Sequence, residues 1–155
     1  MNSVVVLESL GEGLAERVFE SAMSALGAYA PEVVIPDSDY CGNPITCSVA
    51  LVSPFYKGSV PLNCRVLVTP NGASNARSLS TASEIVTYGM GSRATLSFSS
   101  LGDARSMVEV RRSITTLSGE RVEQCEYPVA TPLDRDPVSV LAEQAVLLTL
   151  GAITV

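Results

Sequence analysis

Three groups of residues in this 155-residue chain have types and spacings that could do chemistry. Gly11-Glu12-Gly13 follow an apolar run, Val4–Leu7, and open a helical pattern. That is where a phosphate-binding loop sits, because free backbone N–H groups at a helix start attract anions. A G-x-G-x-x-G loop would need glycine at position 16, which is Glu16. Glu12 and Glu16 suit the positive end of a helix but repel a pyrophosphate, so the segment reads as a turn and cap. No G-x-x-x-x-G-K-[ST] occurs, and Lys57 stands in no such context. Asp37 and Asp39, beside Tyr40, follow a second short run, Val33–Ile35. Acidic residues there can hold a ribose hydroxyl or act as a base, or form a solvated turn. Two β-branched runs, Val66–Thr69 and Ile85–Tyr88, stop at turn residues. The ligand-binding candidates are therefore Asn71, Gly72, Tyr88, Gly89, Asp37 and Asp39. None is a nucleophile or a standard metal-ligand set, and no catalytic residue, metal or cofactor is assigned.

Composition narrows the chemistry further. Histidine is absent, which removes the commonest general base and metal ligand. The four cysteines, Cys41, Cys47, Cys64 and Cys125, contain no C-x-x-C spacing, so zinc and dithiol redox patterns fail. Net charge is −6 and Lys57 is the only lysine, so nucleic acid is not an expected partner. The N-terminal MNSVVVLES lacks the basic region of a secretory signal, and no apolar run is long enough to span a bilayer. The expected location is cytoplasmic, with reduced cysteines. A Cys41–Cys47 disulfide remains an alternative.

The elements that must position these residues are those of one α/β domain. Short strands are expected at Val4–Leu7, Val33–Ile35, Ser48–Val52, Val66–Thr69 and Ile85–Tyr88. A helix follows from Gly13 to Gly27, and a short helix or turn covers Ser74–Ala82. Ser9-Leu10-Gly11-Glu12 reads as a capping box for that first helix. Residues 1–91 form the Rossmann-like, mostly parallel part with crossover helices in three layers. Residues 92–155 add an antiparallel β-meander, from runs at Ala94–Ser99, Met107–Ile114 and Val122–Val129, and a closing helix at Val138–Leu150 capped by Gly151. Cross-strand ion pairs account for Glu109, Arg111, Arg112, Arg121 and Glu123 on a solvated face.

The order RVLVTPNG, a short crossover, EIVTYGMGSRATLS, a meander through TTLSGERVEQCEYPV and the helix SVLAEQAVLLTLGAI resembles the later half of the central domain of Mur ligases and folyl-polyglutamate synthases. Thr87-Tyr88-Gly89 and Leu141-Ala142 through Leu150-Gly151 carry the likeness, which covers Arg65 to Ile153. The resemblance implies that fold fragment without the family's chemistry. The phosphate loop and the histidine have no counterpart, Thr69-Pro70-Asn71-Gly72 replaces Asn-Asp-Asp, and Asp136 and Ser139 stand where nucleotide-contacting asparagines are expected.

The function that follows is a non-catalytic Mur-ligase-like domain acting as a binding or partner module. Two other readings stay open: an enzyme using Asp37 or Asp39 on a small molecule or nucleotide, and a structural homo-oligomer. A protein partner or self-association is expected, without nucleic acid or membrane, and the small-molecule ligand is not specified.

Overall fold

The computed structural model describes residues 2–37, 39–73 and 80–155. It is an α/β fold built on one eight-stranded mixed sheet. The strands are β1 (Ser3–Leu7), β2 (Glu32–Val34), β3 (Ile45–Val52), β4 (Leu62–Pro70), β5 (Ser80–Tyr88), β6 (Leu96–Ser100), β7 (Arg105–Val110) and β10 (Cys125–Ala130). Their order is β10-β7-β6-β5-β4-β3-β1-β2. Every pairing from β2 to β6 is parallel, and β6–β7 and β7–β10 are antiparallel. β8 (Ile114–Thr115) and β9 (Arg121–Val122) form a separate hairpin. The helices among the described residues are α1 (Leu14–Leu26), a 3-10 turn (Gly27–Tyr29) and α2 (Pro137–Leu150). None is long and apolar enough to cross a membrane.

Both α-helices pack on the same face. Leu14, Ala15 and Val18 of α1 and Leu141, Ala145 and Val146 of α2 share one core with Val4, Val6, Val49, Leu51, Val66 and Val68. The opposite face gathers Val5, Leu7, Cys47, Leu62, Cys64 and Leu67 under Tyr56 and Val60 of the β3–β4 connection. The second helical layer of a three-layer fold is therefore not found on that face among the described residues. The expected short helix or turn at Ser74–Ala82 lies outside them over 74–79, and Ser80–Ala82 open β5 instead.

α2 is the element that joins the two parts. It touches β3, β4 and β5 of the parallel part, β6 of the meander, and β8. Asp136 accepts from the Val138 and Ser139 N–H groups, Pro137 fills the first turn, and Gly151 at φ 73° closes the helix.

The strands expected over Met107–Ile114 and Val122–Val129 each break in two. Alternation continues through Ile114 in the sequence. In the fold Ile114 leaves the ladder, is fully buried in the core, and pairs with Val122. The ion pairs also differ from expectation. Glu109–Arg111 and Arg121–Glu123 join residues two apart on one chain segment, which share a face, rather than residues on facing strands.

The four cysteines are free thiols, so a Cys41–Cys47 disulfide is not formed. Cys47 instead lies directly opposite Cys64 on neighbouring parallel strands. A hydrogen bond shared with Cys64, and then burial, push the Cys47 thiol above the ordinary range. Cys64 and Cys125 pack in different cores.

Candidate functional site

In a sheet of this kind the crevice opens where successive connections leave in opposite directions. After β1 the chain moves to β2; after β3 it moves the other way, to β4 and β5. The carboxyl ends of β1 and β3 therefore define the crevice. Its two walls are the loop Glu8–Gly13 and the turn Ser53–Tyr56.

The chain's own polar groups occupy the anion position of this crevice and line the rest of it. An α-helix presents unpaired N–H groups at its start. At α1 the Leu14 N–H donates to Glu8 Oε2 at 2.6 Å and the Ala15 N–H donates to the same oxygen at 3.4 Å. The carboxylate of Glu8 thus occupies the position that a bound anion would take. Glu12 Oε2 accepts from the Ser9 N–H at 3.0 Å and from Ser53 Oγ at 2.6 Å. Ser9 Oγ donates to the Phe55 carbonyl at 2.8 Å. The Ser53 N–H donates to the Leu7 carbonyl at 2.8 Å. The two loops are laced to each other across the switch point.

The expected capping box is only half realised. Glu12 returns to the Ser9 N–H as that motif requires, but α1 starts at Leu14 and its acceptor is Glu8. The box closes a turn rather than a helix. Gly11 and Gly13, at φ 80° and 72°, allow the chain to double back so that Glu8 reaches Leu14.

The six candidate residues do not form one site. Asp37 lines a cavity of about 570 Å³ at the ends of β1 and β2, with Glu8, Ser9, Glu16 and Tyr56. Asp37 and Asp39 are both exposed. Asn71, Gly72 and Gly89 lie at the far side, where β4 and β5 end. The Asn71 N–H donates to the Tyr88 carbonyl at 2.8 Å, Gly72 turns at φ 89°, and Gly89 faces the Asn71 Cβ at φ 139°. Asn71 lines a second cavity of about 330 Å³ with Ile85, Thr87, Arg93, Thr95 and Arg112.

Tyr88 belongs to neither cavity. It is fully buried, and its hydroxyl donates to the Val52 carbonyl at 2.6 Å, tying β5 to the end of β3. Its place in the sequence, before Gly89 at a strand end, made it a ligand candidate. Its size and the inward phase of β5 make it core.

Glu8, Ser53, Thr87, Thr95, Arg93 and Arg112 carry these two regions and were not among the ligand-binding candidates. Glu8 had a signal: a carboxylate directly after a strand and just ahead of a helix. The threonines and arginines had none, because strand pairing alone brings them together.

Burial, and then the negative charges of Glu12 and Asp136, push the Tyr88 phenol far above its usual range. Burial, and then Cys125, do the same to Tyr127, whose hydroxyl donates to Gln144 Oε1 at 3.0 Å. Both folded values lie above the unfolded value of about 10. The unfolded chain then ionises first, so stability is fully present below about pH 10 and is lost as pH rises toward the folded values. Each tyrosine contributes a slope of up to ~1.4 kcal/mol per pH unit. Urea midpoints measured from pH 8 to 11 should hold level and then fall, with the fall reduced in the Tyr88→Phe, Tyr127→Phe double variant. An identical decline in that variant would contradict the assignment.

No family model matches the chain, and no curated protein matches it.

Proposed function

We propose that the chain is a non-catalytic, Mur-ligase-like domain that acts as a binding or partner module. The observation that carries this reading is the Glu8 carboxylate on the α1 N-terminus, joined by Glu12 between Ser9 and Ser53. A nucleotide phosphate brought to that position would meet two carboxylates and would have to displace about as good an acceptor as itself. The arrangement of a strand ending in Tyr88-Gly89, a meander and a closing helix supports the family likeness in fold only. Exposed apolar residues on the β2 side, Phe19 and Met23 on α1 with Val34 and Ile35, support a partner face.

Two measurements test the reading. Phosphate release from magnesium-ATP should stay at the buffer rate; turnover proportional to protein concentration would sink it. In a thermal-shift series with ATP and sugar nucleotides, a ligand at 100 times its Kd would add ~2.7 kcal/mol. No such shift is expected from any compound that must bind through phosphate at α1. Glu8→Ala should lose about 1 kcal/mol of stability as two helix donors go unpaired, and Glu8→Gln much less. Equal stability of Glu8→Ala and the native chain would show that this carboxylate does not cap the helix.

A further inference from the structure

The cavity at the ends of β5 and β6 has a composition opposite to that of the α1 crevice. Its polar lining among the described residues is Asn71, Thr87, Thr95, Arg93 and Arg112, with no carboxylate. The chain as a whole carries −6, so a carboxylate-free lining with two arginines is against its average. Among the described residues the ion pairs are Arg111–Glu109, Arg121–Glu123 and Arg135–Glu143, leaving Arg93 and Arg112 without an acidic partner.

The floor of the cavity holds a second, independent observation. Thr87 and Thr95 are 5% and 6% exposed. Thr87 Oγ1 accepts from the Thr95 N–H at 3.0 Å, Thr95 Oγ1 accepts from the Thr87 N–H at 3.4 Å, and the hydroxyls face each other at 3.3 Å. Two hydroxyl protons are present and one contact between them, so one O–H is left without an acceptor among the described residues. Behind the lining, Thr69, the register partner of Thr87, is fully buried, and its hydroxyl also has no partner among the described residues. Buried donors of this kind are costly unless something accepts from them. The exposed Asn71 amide lies at the rim over Gly91, where a Cβ would come within 2.5 Å of Asn71 Nδ2, so glycine at 91 leaves room for it.

We infer that this cavity is an oxyanion site, taking the phosphate or carboxylate group of a small molecule. Arg93 and Arg112 supply charge, the Thr87–Thr95 pair supplies a buried O–H donor, and Asn71 supplies N–H donors. The inference deepens the binding-module reading by naming a ligand class for its Asn71 rim, while resting on different residues from those that fill the α1 crevice.

The test is a resonance-by-resonance titration of the full chain at low salt with inorganic phosphate, with acetate, and with chloride at matched ionic strength. Saturable movement of the Thr87 and Thr95 amides and the Arg93 side chain is expected with phosphate, acetate or both, and not with chloride. The arm that saturates identifies the group. Affinity should fall roughly tenfold or more in Arg93→Gln, Arg112→Gln, as charge-assisted hydrogen bonds are lost. Both side chains are exposed, so the variant keeps its fold, as a circular dichroism spectrum will verify. Equal response to chloride, equal affinity in the double variant, or no saturation with either oxyanion overturns the inference. Movement confined to Leu14 and Ala15 overturns it as well, and would count against the filled α1 crevice instead.

Discussion

Leu141→Ala should destabilise the whole molecule by about 3 to 5 kcal/mol, in a single transition. Leu141 is fully buried in the main core, on the helix that touches both the parallel strands and the meander. A cavity there removes contacts from each part at once. Domains of this size have only about 5 to 15 kcal/mol in reserve, so the variant sits near its limit at room temperature. Hydrogen exchange under native conditions is the check. Amides of β3 and β4 and amides of β7 should lose protection together and by the same amount. Retained protection in β7 while β3 and β4 open would mean that the meander stands alone and that α2 does not unite the two parts.

Arg135→Ala should cost about 3 kcal/mol, far more than a surface pair would. Glu143 is 8% exposed and Arg135 18%, and they meet through Arg135 Nη2 and Glu143 Oε2 at 2.5 Å. The other Glu143 oxygen accepts from Ser21 Oγ at 2.7 Å, so this carboxylate also ties α2 to α1. Removing the guanidinium leaves a buried charge with one neutral donor. Replacing Glu143 by leucine in the same chain removes that charge and should recover most of the loss. Urea denaturation of the native chain, the single and the double variant reads this directly. A single variant within 0.5 kcal/mol of the native chain, or a double variant no better than the single, contradicts the account.

The backbone plan was legible from short-range chemistry. The runs at Val4–Leu7, Val66–Thr69 and Ile85–Tyr88 are β-branched and bounded by turn residues, and each lies in a strand. Pro137 and Gly151 mark the first and last turns of α2, where a fixed φ and a left-handed φ are needed. What was not legible depends on pairing. Alternation cannot tell that Ile114 leaves its strand, since only burial in the core with the closing helix removes it. Sequence order cannot place Asp37 and Asn71 at different cavities, nor bring Cys47 opposite Cys64. The Ser9-to-Glu12 spacing does bring Glu12 back to Ser9, but the helix begins later and uses Glu8. Tyr88 shows the same limit: its position at a strand end is local information, and its burial is not.

The claim on which the functional reading turns is that the chain's own carboxylate already holds the anion position at α1. The most direct test follows the backbone amides of Gly13, Leu14 and Ala15 by NMR while ADP and magnesium are added to the native chain in millimolar steps. The Leu14 and Ala15 resonances should not move beyond a matched salt control, because Glu8 keeps their hydrogen bonds. Saturable shifts at those two amides would contradict it, by showing that a phosphate displaces Glu8 and that the crevice is an open nucleotide site.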